Sequence, residues 1–251
     1  MPAGNISAPN FQFIPLEWDS RYFGIKCARV NLMGPASEAE QEEIIRLCCE
    51  EDFVVLANLH NNNENNLWIG SRTRAFLADI NIQLCKQTGT GRSIPAIADS
   101  ELTICNNFTG YEKLLDIAGE AFRHSRFFND PYLPAEQAAG IYRQWSRDAF
   151  MREDKYFVLC RRKGELAGYL LFSLDKKEGS CLIELVAVAR KHTGQGIGRQ
   201  LLAACEVSCA EQAVSMIRVG TQANNLAAIR LYQSSGFKYS HCNSIYHLWI
   251  R

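Results

Sequence analysis

A chain of 251 residues is long enough to bury the core of one large domain or two small ones, and two is the expectation. Its 27 Lys and Arg balance 27 Asp and Glu, so no field over the whole surface would hold a polyanion, which excludes extended contact with DNA or RNA. The start, MPAGNISAPN, lacks a basic segment followed by an apolar one, and no apolar run reaches the roughly 18 residues a bilayer span needs. A soluble, cytoplasmic protein with no membrane partner is expected. Ten cysteines without paired CxxC spacing read as reduced thiols and not as zinc ligands or a disulfide framework, so no metal is expected. Cys48, Cys49, Cys205 and Cys209 fall in helical patterns, where cysteine acts as a small hydrophobe.

Along the chain, Phe11 to Val30 alternates apolar and polar residues, Glu38 to Glu50 has helical periodicity with Ile44, Ile45, Leu47 and Cys48 inward, and Phe53 to Leu59 reads as a strand. Asn61 to Asn66 reads as a polar loop. The stretch Gln87 to Pro95, rich in Gly, Thr and Ser, predicts a linker and hence an N-terminal α/β domain over residues 1–100. Residues 101–251 then give a strand at Leu102–Cys105, helices over Tyr111–Phe122 and Ala135–Phe150, and strands at Tyr156–Cys160, Leu166–Leu174 and Leu182–Ala189. A glycine turn and a helix follow, then a strand at Met216–Thr221, a helix at Asn225–Ser235, and a closing pair of strands at Phe237–Ser240 and Ser244–Ile250.

The passage LIELVAVA, then Arg190 to Arg199, then an amphipathic helix is a strand–glycine turn–helix unit. Such a turn aims several backbone N–H groups at one point, which the positive end of the helix dipole also faces, so a phosphate is the expected guest. Gly194-x-Gly196-x-Gly198 lacks the Gly-Lys-Ser/Thr ending of a P-loop and the Gly-x-Gly-x-x-Gly spacing of a dinucleotide site.

Together, VAVARKHTGQGIGRQLL and Asn225, Ala228, Tyr232, Gly236 and Phe237 resemble the GNAT superfamily of acyl-CoA-dependent N-acyltransferases over residues 102–251. The departure is Thr193, where that family usually carries Arg or Gln. The resemblance implies a mixed, mostly antiparallel sheet splayed to admit acetyl-CoA or another acyl-CoA. It implies that Gly194, Gln195, Gly196, Ile197, Gly198 and Arg199 hold the pyrophosphate and that Val186 and Val188 lend backbone groups to the pantetheine arm. Asn225 matches a position at the cofactor groove and is equally a good N-cap. Tyr232 matches the usual general acid, since a phenol can protonate a departing thiolate at modest cost. Glu184 matches a glutamate that takes the amine's proton through water. As a carboxylate in an apolar strand it needs a partner, a water chain or a raised pKa, unless it ends in solvent at a sheet face.

The acceptor region of that fold corresponds to Arg123 to Tyr132 and Tyr142 to Trp145, where aromatics and arginines interleave in a way that suits a base or sugar and a diphosphate. Phe-x-x-Ser-Arg-Phe-x-x-Asp-Pro with Tyr-x-x-Trp, and Trp18-Asp19-Ser20 with Phe23-Gly24, are similar to two-domain sugar N-acyltransferases such as the dTDP-fucosamine acetyltransferase family. That likeness implies transfer to the amine of a nucleotide-linked deoxyamino sugar. Arg126, Phe127, Tyr132 and Arg143 are the substrate-binding candidates, with Arg126 and Arg143 proposed for the diphosphate from charge and position. Open alternatives are a longer acyl donor such as hydroxybutyryl-CoA, another small-molecule or protein amine, and a non-enzymatic acyl-CoA-binding module. A homodimer is also left open.

Overall fold

The computed structural model describes residues 5–89, 94–106 and 111–250. In chain order the elements are β1 (Ile6–Ser7), β2 (Phe11–Pro15), α1 (Glu17–Phe23), β3 (Cys27–Leu32), α2 (Glu38–Cys48), β4 (Phe53–Asn58), α3 (Asn63–Arg72) and β5 (Phe76–Gln87). There follow β6 (Ser100–Cys105), α4 (Glu112–Ala121), α5 (Ala135–Ala149), β7 (Lys155–Arg162), β8 (Glu165–Asp175), β9 (Ser180–Val188), α6 (Ile197–Glu211), β10 (Met216–Gln222), α7 (Leu226–Ser234) and β11 (Lys238–Trp249).

Two compact units result, and neither is a continuous piece of chain. The first comprises Met1–Ile82, Ser125–Pro134 and His241–Arg251, and the second Gln83–His124 and Ala135–Ser240. The expected division at residue 100 follows chain order, whereas these units are cut within β5 and β11 and between α4 and α5. Of the expected linker, Thr90 to Ser93 lie outside the described residues. Its start is anchored, because Thr88 N–H donates to Ser215 O at 3.0 Å.

In the first unit, β3 and β4 pair in parallel while β1/β2, β2/β3 and β4/β11 pair antiparallel. One face packs Val30, Leu32, Val54 and Leu56 against Ile44 and Leu47 of α2 and Trp68 and Ile69 of α3. The other packs Cys27, Phe53, Val55, Ala57 and Ile245 against Leu16 and Phe23. Helix α2 starts where Ser37 and Glu40 form a capping box, which satisfies two orphan backbone donors reciprocally.

Local chemistry explains where the structure departs from expectation. The polar run at 61–66 is no loop: Asn62 Oδ1 caps α3 by accepting from Asn65 N–H at 3.0 Å, and buried Asn65 accepts from Ala36 N–H at 3.0 Å and donates to Gly34 O at 2.9 Å. Those asparagines replace backbone partners, which composition alone does not reveal. Within Phe11 to Val30 the helix α1 separates two strands. The closing pair of strands is the single β11, because His241-Cys242-Asn243 contains no Gly or Pro to break it.

The second unit has strand order β10-β9-β8-β7-β6, with β9/β10 parallel and the other neighbours antiparallel. Helices α4 and α5 pack together and α6 lies on β7, β8 and β9. Phe157, Tyr169, Leu171, Leu201 and Cys205 are buried there. Cys48 is buried as expected, but Cys49 is exposed. Cys181, Cys205 and Cys209 are all buried, with their sulfurs within 4.8 Å of one another.

Candidate active site

Strand β9 parts from β10 partway along its length. Register pairs join Ser180, Cys181, Leu182 and Ile183 to Met216, Ile217, Arg218 and Val219, and then stop, although β9 runs on to Val188 and β10 to Gln222. The backbone from Glu184 to Val188 thus borders an opening between two parallel strands. Val186 and Val188 lie on this bordering stretch, where their N–H and C=O groups can serve an extended ligand as a neighbouring strand would.

At the head of the opening sits Glu184. Leu171 of β8 opposes Leu185 of β9 and Phe172 opposes Ile183, so Glu184 is the extra residue of a β-bulge, a feature that re-aims a side chain beside many active sites. Its carboxylate is 5% exposed, forms an ion pair through Oε1 with Lys155 of β7, and accepts from Trp145 Nε1–H at 3.3 Å. Of the outcomes open to a buried carboxylate, the structure supplies a partner, the Lys155 side chain.

Beyond β9 a short turn at Arg190–His192 leads to Gly194 and Gly196, at φ of 78° and 82°. Both lie in the left-handed region that glycine enters without steric cost, and Gly196 serves as N-cap of α6. The first intrahelical bond is Gln200 N–H to Gly196 O, so the N–H groups of Ile197, Gly198 and Arg199 precede the ladder. No side chain caps this end and no acidic residue lies in the first turn. A helix of 15 residues with an uncapped N-terminus, Arg199 beside it and two left-handed glycines before it fits a diphosphate. Gln195 bridges Lys191 O at 3.1 Å and Arg162, which fixes the turn.

Gly198 has a different role. A Cβ there would come 3.0 Å from Leu231 Cδ2, so the missing side chain lets α7 lie against the start of α6. That contact brings Tyr232, the one buried residue of α7, into this unit's interior. Burial pushes its phenol above the ordinary value, so the proton stays on at neutral pH. Asn225 Oδ1 accepts from Ala228 N–H at 3.1 Å, which makes it the N-cap of α7. Below α7, buried Lys86 ties Glu206 of α6 to Ser235 O, both at 2.6 Å. Sequence reading missed this pair, since a lysine and a glutamate 120 residues apart carry no joint signal.

The substrate candidates divide between the units. Arg143 lies on α5 in the second unit, where Nη2 reaches Asp116 Oδ1 and Nε reaches Leu115 O, both at 3.3 Å. Arg126, Phe127 and Tyr132 belong to the first unit. The Arg126 guanidinium lies 4.1 Å from the Phe127 ring centroid, Phe127 packs at 6.2 Å from Phe23, and Tyr132 is exposed beside Phe76 and Trp249.

The structure also shows a buried relay in the first unit that spacing could not reveal. Asp130 Oδ2 lies 2.6 Å from His247 Nδ1 and accepts from Trp249 Nε1–H at 3.0 Å, while Arg126 Nη1 lies 3.1 Å from His247 Nε2. Because Nε2 accepts from arginine, the imidazole is neutral with its proton on Nδ1. Burial pushes His247 down to about 4, with the Asp130 hydrogen bond opposing and the Arg126 charge assisting. Burial would raise Asp130, but hydrogen bonds from His247, Tyr132 N–H and Trp249 outweigh it and hold the carboxyl below its usual range.

The chain is 30% identical over 138 residues to the spore coat polysaccharide biosynthesis protein SpsD of Bacillus subtilis, a match covering 55% of this chain and 47% of that protein, so only about half of SpsD is represented. It is 23% identical over 225 residues to a dTDP-fucosamine acetyltransferase of Escherichia coli, covering 88% of this chain and 91% of that one. A GCN5-related N-acetyltransferase structure from Kribbella flavida superposes with a TM-score of 0.66 at 16% identity over 97% of this chain and 88% of that one, a likeness of fold. No helix among the described residues is long and apolar enough to cross a membrane. Residues 112–237, which carry the parted strands, the uncapped helix and Tyr232, match the acetyltransferase (GNAT) family model, and the chain belongs to that family.

Proposed function

We propose that the protein transfers an acyl group, acetyl in the first instance, from acyl-CoA to the amine of a nucleotide-linked deoxyamino sugar, in a ternary complex. The observation that carries the acyl-CoA half is the parting of β9 from β10 beside an uncapped helix N-terminus, a slot for an extended chain ending in an anion site. When bound, the coenzyme supplies an activated carbonyl and a thiolate leaving group. Backbone N–H groups at Ile197, Gly198 and Arg199 hold its diphosphate, and the edge of β9 at Val186 and Val188 aligns its arm. Glu184, held in place by Lys155, takes the proton that the amine must lose to become a nucleophile, directly or through water. Tyr232 donates its phenolic proton to the departing sulfur.

The sugar half rests on two relatives, one bearing the name of a polysaccharide biosynthesis protein and one that of a dTDP-sugar acetyltransferase, together with the arginine and aromatic residues at 126–132. A cationic acceptor such as a polyamine would be repelled by arginines. The test is release of free thiol from acetyl-CoA with a panel of dTDP- and UDP-linked 3-amino and 4-amino sugars. Turnover with at least one sugar nucleotide is expected. Turnover with simple polyamines and none with any sugar nucleotide refutes the proposal.

A further inference from the structure

The sheet of the first unit carries three parallel rows of side chains on the face covered by α1. Register pairs place Cys27, Phe53 and Trp249 in one row, Arg29, Val55 and His247 in the next, and Asn31, Ala57 and Ile245 in the third. Partners across a ladder point to one side of the sheet. A face otherwise built as an apolar core thus includes an arginine and a histidine two strands apart, about 10 Å at the backbone. Arg126 lies over this row, 3.1 Å from His247, and the long Arg29 side chain rises from its other end.

Two half-buried guanidinium groups here act on each other. Arg29 is pushed down to about 10 by burial and then by the charge of Arg126, the cost of placing like charges together away from water. The charge of Asp19 opposes both effects without restoring the ordinary value. Arg29 Nε donates to Asn31 Oδ1 at 2.6 Å, and neither Nη nitrogen has a hydrogen-bond or ion-pair partner among the described residues. Asp130 is committed to His247, Trp249 and the Tyr132 N–H. Asp19 of α1 is an acid whose field reaches both arginines, and burial pushes its carboxyl upward. Beside it on α1, Trp18 and Tyr22 stack at 5.3 Å and 3°, both partly exposed.

We propose that Arg29 and Arg126 together hold the diphosphate of a nucleoside diphosphate on the first unit, with the Trp18–Tyr22 pair as the shelf for its base. His247 and Asp130 act as positioning residues: the imidazole accepts one N–H of Arg126, and the Phe127 ring beneath fixes the guanidinium plane. This assigns the first unit the recognition of the acceptor's nucleotide, and it rests on the sugar-nucleotide reading above.

The test is calorimetric titration of dTDP, inorganic diphosphate and thymidine into full-length protein whose coenzyme slot is saturated with coenzyme A. dTDP should bind, inorganic diphosphate should compete with it more weakly, and thymidine should not compete at a comparable concentration. Arg29→Gln should weaken dTDP at least tenfold, Arg29→Lys by less, and neither should change coenzyme A affinity. Should the variants fail to fold, phenylglyoxal labelling of the native protein gives a second measurement: dTDP should slow modification of Arg29 and Arg126, and thymidine should not. Unchanged dTDP affinity in Arg29→Gln, no protection of Arg29, or inorganic diphosphate binding as tightly as dTDP overturns the proposal. Those failures leave acyl transfer untouched, whereas absence of turnover with every sugar nucleotide alongside normal dTDP binding refutes the function instead.

Discussion

Acidification should unfold the first unit through His247, and the size of the effect follows from the geometry. The imidazole has an ordinary value of 6.5 and is held at about 4 in the folded chain by burial, with Arg126 donating to Nε2. Between those values the unfolded chain takes up a proton that the folded chain refuses. A lowered histidine therefore stabilises the fold fully above about pH 6.5, and that contribution is lost as pH falls toward about 4. The full difference, 6.5 less about 4, corresponds to about 3 kcal/mol, and the part expressed between about pH 7 and about pH 4.5 is about 2 kcal/mol. The charged groups facing the ring are Arg126, which opposes protonation, and Asp130, which favours it; Phe53 and Phe76 pack edge-on at 4.9 and 5.8 Å. Asp19, raised by burial, works in the opposite sense as pH falls, but equally in a variant that lacks the imidazole. Urea unfolding followed by tryptophan fluorescence at the two pH values, in native protein and His247→Gln, measures the effect. The variant should be less stable at neutral pH and lose about 2 kcal/mol less on acidification. Equal losses in the two proteins would refute the neutral, buried assignment of His247.

The other expectations concern the second unit. Tyr232→Phe should lower kcat at least tenfold with coenzyme A affinity nearly unchanged, read by steady-state kinetics and calorimetry; full turnover removes Tyr232 as the acid. Glu184→Gln should lower kcat at least tenfold with coenzyme A affinity nearly unchanged, and full turnover would show that the base is another group. Gly198→Ala should weaken coenzyme A binding severalfold by pressing on Leu231, and adding Leu231→Ala should restore much of it; no rescue would mean that the backbone, and not this contact, is disturbed. Lys86→Met should cost about 3 kcal/mol in chemical denaturation, because it removes one partner of a buried ion pair with Glu206. The double variant with Glu206→Leu should recover most of that loss.

What the sequence by itself determined is local. The glycine turn, the cap at Asn225, the inward Ile44, Leu47 and Cys48 of α2 (though not Ile45, which was expected inward and is exposed) and most strands of the second unit rest on periodicity and on residue types whose backbone preferences act within a few positions. Gly194 and Gly196 could be named as the turn that opens α6 because their φ values and that helix are properties of neighbouring residues. The N-cap role of Asn62 was within reach of the same reasoning, but the surrounding asparagines read as a solvated loop until Asn65 found its buried partners. Only tertiary structure decided the rest. That Glu184 is the residue left over in a bulge, and that β9 and β10 part just there, depends on the register of three strands, which no single strand contains. That Arg126 sides with Arg29 and His247, while Arg143 is taken up by Asp116, depends on residues 125–134 and 241–251 joining the first unit. Side chains distant in sequence meet because burying apolar faces fixes where strands lie, and the charges carried with those faces must then find partners, or a ligand, where packing leaves them.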